Sequence, residues 1–509
     1  MLSILARPSP ALLSWPLALT IAAAAIAQAP QGAATGSHDY PFAREGVLGT
    51  SSQLAVTAPD EATAERAAEA LFAEVARLEQ QLSLWREDSD LARLVAAGGG
   101  KAEGAVLEVL RSAEQWQKTT GGAFEPGVAV LTGLWQRAAQ DGHAPTEAQL
   151  REALATVRQP SWSLQGAELT VHHAFTIDAL AKGFVVDAAC RTLQKFEHVA
   201  LLSFQIGGDV RLGDAAHEVD LVDPRHPADN AAPLLTVRLA GRAVATSGGY
   251  ARGFDIAGKH HSHILDPRTG RPCDGVLGAS VLAADVATAD VLATSLCVLG
   301  PEEGFELLRR VPGAHAVVVT ADGKVHRSPG LGEFVVDRPS PTVTETTANG
   351  GWPKGYGLQV AFELQQPDNS DGRRRGGWKR PYVAVWIEDA TGTPARTLCL
   401  WIENRRWLRD LRRWSRQNGD QPDLIDVVSQ ATRKAGKYTL TWDGTDDSGR
   451  RLAPGTYTLY IEAAREHGTY QLAKTTLELR TERLDVALDD NAEVSGMHVT
   501  FGPLRQKDD

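Results

Sequence analysis

Asp290 and Thr294 stand four residues apart in ADVLATSLCVL (289–299), a stretch that reads as a helix, so their side-chain oxygens fall on one helical face. A carboxylate and a hydroxyl are hard oxygen donors, the kind that suit Mg2+ in octahedral geometry. His263, in SHILDP, supplies an imidazole that can remove a proton near neutral pH if it lies within hydrogen-bond reach of it. Lys182, in LAKG, is a compact positive charge suited to phosphate, the bland alternative being a surface lysine. Gly207-Gly208, followed by Asp209, permit close approach of backbone to a ligand, or simply a tight turn. Neutralising an anion and deprotonating a nucleophile need these residue types, but no single one of them identifies a reaction.

These residues must be held by a framework, and the apolar spacing outlines one. Ala64, Ala67, Ala68, Leu71, Phe72, Val75, Leu78 and Leu82 repeat at helical spacing through 60–82. Val106, Leu107, Leu110 and Ala113 mark a helix over 104–118, closed by Gly121-Gly122. Pro145-Thr146 opens a third helix, and 178–195 reads as a fourth. Short β-rich runs at 199–206, 234–239, 279–283 and 315–320 complete an α+β layering and not a series of βαβ units. After Val336 the texture changes. Residues 337–350 carry Pro, Thr, Ser and Gly without periodicity, as a linker does. Strands are then expected at 358–364, 382–388, 397–403, 437–442 and 455–463. YTLTWDGTDDSGRRLAPGTYTLYI (438–461) reads as a hairpin around an acidic, Gly-rich loop. The second unit is therefore expected to be all-β and sandwich-like.

The chain has 509 residues, which at ~150 per domain exceeds one compact core. Its 43% hydrophobic and 23% charged residues exclude a mainly disordered or polytopic membrane chain. The net charge of −11 argues against an unguided hold on nucleic acid. Cys190, Cys273, Cys297 and Cys399 lie far apart, with neither disulfide-scaffold nor zinc spacing. Residues 11–29 form an apolar run after a single charge at Arg7, ending near Ala25-Ile26-Ala27, and read as a signal peptide over 1–29. An uncleaved anchor is the alternative, because ~20 apolar residues can span a bilayer. The expected location is exported, periplasmic, with no stable membrane span after cleavage.

Five segments taken in order, DALAKGFVVD (178–187), QIGGDVRLG (205–213), ATSGGY (245–250), HSHILDPRTG (261–270) and ADVLATSLCVL, resemble the ApbE family of FAD:protein FMN transferases. The resemblance covers roughly 45–335, and 38–336 is taken as the transferase domain. It implies Mg2+-dependent transfer of FMN from FAD, as substrate, to a Thr or Ser hydroxyl of a target protein, with a phosphoester formed and AMP released. It also implies Asp290, Thr294 and the Ala179 carbonyl as metal ligands and His263 as the base. Lys182, Gly207, Gly208 and Ile264 then belong to the cofactor-binding set. Leu84-Trp85 with Ser89, and Gly122-Ala123-Phe124-Glu125-Pro126, resemble the family's flavin-pocket segments. Trp85 would lie against a ring system or else be a core tryptophan. Glu125 and Thr176 both stand where the family usually has Asp. His260 and His261 read as surface residues.

Residues 351–505 resemble the uncharacterised DUF2271 domains, most clearly in WDGTDDSG. From Arg373 to Arg416 there are 12 Lys/Arg against 4 Asp/Glu, interleaved with Trp378, Trp386, Trp401, Trp407 and Trp414. The readings are a solvated face over sandwich-core tryptophans, or a docking face for an acidic partner or a flavin phosphate. Residues 426–432, DVVSQAT, are similar to the acceptor signature of these transferases, with Asp426, Ser429, Ala431 and Thr432 in step and Gln430 in place of Gly. Thr432 is thus a candidate flavinylated acceptor, which would make the chain's own C-terminal domain a partner beside other flavin-accepting proteins. Two further readings remain: an FAD pyrophosphatase giving FMN and AMP, and a non-enzymatic flavin-carrying electron-transfer protein.

Overall fold

The computed structural model describes residues 37–225, 233–249, 252–336, 356–365, 380–402, 405–419, 429–430, 432–433, 435–447, 450–465 and 469–503. The expected signal peptide, the expected linker, Trp378 and residues 426–428 and 431 of the acceptor-like segment lie outside these. Among the described residues the helices are α1 (Glu61–Leu82), α2 (Asp90–Ala96), α3 (Gly104–Thr119), α4 (Ala129–Asp141), α5 (Glu147–Val157), α6 (Asp178–Arg191), α7 (Val286–Leu308) and α8 (Arg412–Asn418). None of them is long and apolar enough to cross a membrane.

The first unit is built on an eight-stranded antiparallel sheet. In spatial order its strands are His38–Val47, Thr50–Ala58, Ala200–Ile206, Asp209–Leu212, Ala243–Gly248, Val276–Ala283, His315–Thr320 and Val325–Arg327, so sequence order and spatial order coincide. Strand alternation divides its side chains between two faces. Ala243, Ala245, Val281, Ala316 and Val318 join the main core with α1, α6 and α7, while Val210, Val244, Leu282 and Val317 pack against the hairpin of His217–Leu221 and Leu235–Leu239. All eight apolar residues expected to face inward on α1 are buried, and the Asp60 carboxylate caps its first turn by accepting the Thr63 N–H at 2.7 Å. α5 carries the capping box announced by Thr146, reciprocated by Gln149. α7 breaks at Gly300, whose φ of 72° is left-handed, just before Pro301.

Among its described residues the second unit is all-β apart from one short helix and a 3-10 turn. One sheet has the order Gly436–Trp442, Tyr356–Leu364, Val494–Pro503, Leu484–Ala487. The other has the order Ser429–Gln430, Pro394–Trp401, Tyr382–Asp389, Gly455–Ala464, Tyr470–Leu479. Alternate residues of both sheets, among them Val360, Phe362, Val385, Trp401, Leu440, Leu459 and Phe501, close a shared core. On the outer face of the second sheet Trp386 stacks on Tyr460 at 4.8 Å, under Trp414 of α8. Trp386, Trp401 and Trp414 are fully buried, so the tryptophans of the Arg-rich stretch that can be placed serve mainly as core.

Candidate functional site

Three segments remote in sequence meet where α6, α7 and the central sheet converge. α6 starts at Asp178, whose N–H donates to Thr176 Oγ1 at 3.2 Å, and the Thr176 N–H in turn donates to the Pro126 carbonyl at 2.9 Å. This ties the loop at 123–126 to the start of α6. Gly183 lets α6 and α7 touch, since a Cβ there would lie 2.6 Å from the Ala287 Cα. Gly207-Gly208 form the two-residue loop of a hairpin in which Ile206 pairs with Asp209. The expected close approach of these glycines to a ligand is thus a turn, with Gly207 at φ 57°, and its effect is to carry Asp209 into the sheet.

Lys182 Nζ lies 2.7 Å from Asp209 Oδ2 and 3.8 Å from Asp290 Oδ2. Both carboxylates are buried, and they lie close enough to share a side-chain hydrogen bond with each other besides their pairing with Lys182. Burial raises the pKa of both; for Asp290 the neighbouring Asp209 adds to the rise. Burial works against the charge on Lys182, yet Asp209 and Asp290 outweigh it and hold the ammonium above its ordinary range. Two carboxylates against one lysine are balanced either by a proton held on the pair, which the raised pKa values favour, or by a further cation that takes the proton's place. One turn beyond Asp290, Thr294 Oγ1 lies 3.1 Å from Ser247 Oγ at the end of the strand Ala243–Gly248. Among the described residues no group of three or more His, Cys, Asp or Glu forms a metal cage. The oxygen donors that could hold a hard divalent ion here are the carboxylates of Asp290 and Asp209 and the Thr294 hydroxyl, with Ala179 in the first turn of α6.

His263 lies on a neighbouring wall. Its Nδ1 is 3.1 Å from the carbonyl oxygen of Arg252, and its backbone N–H donates to the same oxygen at 3.2 Å. Because a carbonyl only accepts, Nδ1 carries the hydrogen and Nε2 presents a lone pair. Loss of hydration, followed by the positive charge of Arg252, lowers the imidazole pKa. Asp178, in contrast, is raised by loss of hydration. The surfaces of His263 and Asp178 remain open to solvent although protein crowds both groups, as in the wall of a cleft. Trp85 is 66% exposed, and its indole N–H donates to Asp178 Oδ2 at 3.3 Å, so it is not a core tryptophan.

The remaining flavin-pocket candidates are more deeply set. Ala123, Phe124 and Ile264 are buried. Glu125 accepts the Gly127 N–H at 2.9 Å and a hydrogen from Gln117 Nε2, so its carboxylate is engaged locally. His260 bonds Asp255 across its hairpin at 2.8 Å. Sequence reasoning did not select Asp209, Asp178, Ser247 or Arg252 as site residues. The signal for Asp209 was present in GGD, where the glycines drew attention away from the carboxylate they deliver. In the second unit Thr432 is fully buried beside Arg433, whose guanidinium lies over the Trp401 ring at 5.2 Å.

The first unit shares its fold with solved flavin-transferase structures. The ApbE protein of Thermotoga maritima is 25% identical, with a TM-score of 0.52, covering 59% of this chain and 100% of that one. The flavinyl transferase ApbE of Pseudomonas stutzeri, apo form, is also 25% identical, with a TM-score of 0.50, covering 58% and 97%. Residues 48–319, just over half the chain, match the ApbE family. A protein of Treponema pallidum (strain Nichols) named FAD:protein FMN transferase is 32% identical over 312 residues, spanning 56% of this chain and 86% of that protein. The chain belongs to the ApbE family. Residues 358–495 match a second family, described as a predicted periplasmic protein (DUF2271).

Proposed function

We propose that the protein is an FAD:protein FMN transferase that uses Mg2+ and acts in the periplasm. The observation that carries the site assignment is the buried Lys182–Asp209–Asp290 cluster beside an imidazole with a free Nε2. Asp290, Thr294 and the Ala179 carbonyl would hold the ion, with Asp209 beside them. A bound Mg2+ would supply charge neutralisation on the pyrophosphate of FAD. Lys182 and the exposed Arg252 orient phosphate oxygens, and Trp85 offers a face to the isoalloxazine ring. His263 Nε2 takes the proton of the acceptor Thr or Ser hydroxyl. The oxygen forms a new bond to the FMN phosphorus while the P–O bond to the AMP phosphate breaks, and AMP departs with the electron pair.

The assignment of the transferase to 38–336 and of a DUF2271-like domain to 351–505, separated at 337–350, is part of this proposal. So is export through the apolar segment at 11–29. Incubation of the mature protein with FAD, Mg2+ and an acceptor peptide should yield a covalent fluorescent peptide and one AMP per adduct. Absence of an adduct with several acceptor peptides would remove the transfer reading. Because His263 is open to solvent, water can take the acceptor's place, and free FMN with AMP and no adduct would favour the pyrophosphatase reading. Self-modification of Thr432 requires its buried segment to open. Covalent FMN in the intact mass that persists in Thr432→Ala would assign the flavin to another residue.

A further inference from the structure

Ala179, Gly183 and Asp187 stand at i, i+4 and i+8 along one face of α6, and α7 runs back beside that face. At one end lies the charge cluster. In the middle Gly183 touches Ala287. At the other end Asp187 Oδ2 accepts the N–H groups of Val286 and Ala287, both at 3.0 Å, while Oδ1 lies 3.1 Å from the Val286 nitrogen. The Asp285 side chain takes the next N–H, that of Thr288, at 2.8 Å, and the Asp285 carbonyl accepts that of Ala289 at 3.2 Å. The first-turn donors of α7 are thereby all assigned to partners, two of them on another helix 100 residues away in sequence.

We propose that Asp187 is a positioning residue for the metal site, locking α7 against α6 so that Asp290 and Thr294 are presented to Lys182 and Ala179 in a fixed register. The inference rests on the metal-site reading above. The lever is short: Asp290 follows Ala287 by three residues, ~4.5 Å of helix rise, so a slip at the cap transmits almost undiminished to the carboxylate. Both contacts are made directly by helix backbone to one side chain.

The test compares the full-length wild type with Asp187→Ala, Asp187→Asn and Gly183→Ala, reading direct Mn2+ binding by electron paramagnetic resonance alongside the Mg2+ dependence of transfer. In Asp187→Asn one oxygen can still accept both N–H groups, but the side-chain NH2 then faces the Val286 N–H where Oδ1 lies at 3.1 Å, so this variant should keep part of the cap and bind Mn2+ more weakly than wild type but more tightly than Asp187→Ala. Asp187→Ala should weaken Mn2+ binding about tenfold or more, as loss of outer supporting contacts does at metal sites. Gly183→Ala, which wedges the helices apart from a separate point, should show the same defect and serves if Asp187→Ala fails to fold. Wild-type Mn2+ affinity in Asp187→Ala or in folded Gly183→Ala, or equal defects in the Asn and Ala variants, would overturn the inference alone. A wild type that binds no Mn2+ would remove the metal-site reading and this inference with it.

Discussion

His263 donates from Nδ1 to the carbonyl oxygen of Arg252 at 3.1 Å, and the imidazole pKa is lowered first by loss of hydration and then by the same residue's guanidinium. Arg252 thus fixes which nitrogen is basic and adds to the effect of burial in keeping it unprotonated. The two effects act together, because a general base must be both correctly oriented and neutral. With the imidazole pulled down to about 4, the neutral form should dominate throughout the neutral range and into mild acid.

The acid limb of the pH profile follows from that sign. In kcat/KM for transfer, activity should hold as pH falls through 6.5 and decline only as it approaches the depressed value. Removing the positive charge in Arg252→Ala should move the limb upward toward the ordinary histidine value, while the carbonyl contact survives. A limb that stays in place in Arg252→Ala would mean that the side chain does not set the protonation of His263. Loss of transfer in His263→Ala with retained FAD binding completes the comparison.

Lys182 is the sole cation that the described structure pairs with Asp209 and Asp290. Lys182→Ala should leave two buried carboxylates facing each other, a change of about 3–5 kcal/mol when one partner of a buried pair is removed. A carboxylate can escape part of this by binding a proton, since burial already raises both pKa values. The destabilisation in chelator should therefore grow as pH rises and shrink on adding Mg2+. Thermal unfolding with EDTA and with Mg2+, at two pH values, reads both dependences; insensitivity to either would argue against a shared cation site.

Trp85 contributes little to the core, being 66% exposed, yet its indole is anchored to Asp178. Trp85→Ala should leave the unfolding midpoint nearly unchanged and weaken FAD binding by about 1–3 kcal/mol, the order of an aromatic stacking contact on a planar ring. The effect should fall on KM for FAD more than on kcat. Stopped-flow titration of flavin fluorescence with wild type and variant would check it, and unaltered FAD affinity would remove Trp85 from the pocket.

Local periodicity carried much of the fold. α1 shows the inward face that its spacing predicts because a long helix with one apolar stripe leaves no competing pattern. Strands at Tyr382–Asp389, Gly436–Trp442 and Gly455–Ala464 fall within a few residues of expectation, being bounded by turn residues. The strand Tyr470–Leu479 was not anticipated: it is an edge strand with mostly polar, solvent-facing positions, so its alternation is faint. α4 is not among the expected helices although Leu131, Leu134, Trp135 and Ala138 keep unbroken helical spacing. In the site, Asp290 and Thr294 are singled out by the family resemblance, and their four-residue spacing adds only that they share a helical face. The meeting of Lys182, Asp209 and Asp290 was not legible, since it depends on how the hairpin at Gly207-Gly208 registers in the sheet beneath α6 and α7.

In the second unit, fully buried Glu462 accepts the N–H groups of Arg413 and Trp414, both at 2.8 Å, and so holds the start of α8 on the sheet. Arg413 continues the network to Glu388 at 3.0 Å and to the Tyr460 hydroxyl at 2.9 Å. Glu462→Ala would strand two donors and open a gap beneath Trp414, costing about 2–6 kcal/mol at ~1–3 kcal/mol for each buried group left unpaired. Tryptophan fluorescence should report the loss, since Trp386 and Trp414 lie in this layer. If the unit serves only to dock or support, transfer to an added acceptor peptide should remain at the wild-type rate in this variant. If transfer falls in proportion to the unfolded fraction of the C-terminal unit, that unit takes part in the reaction itself.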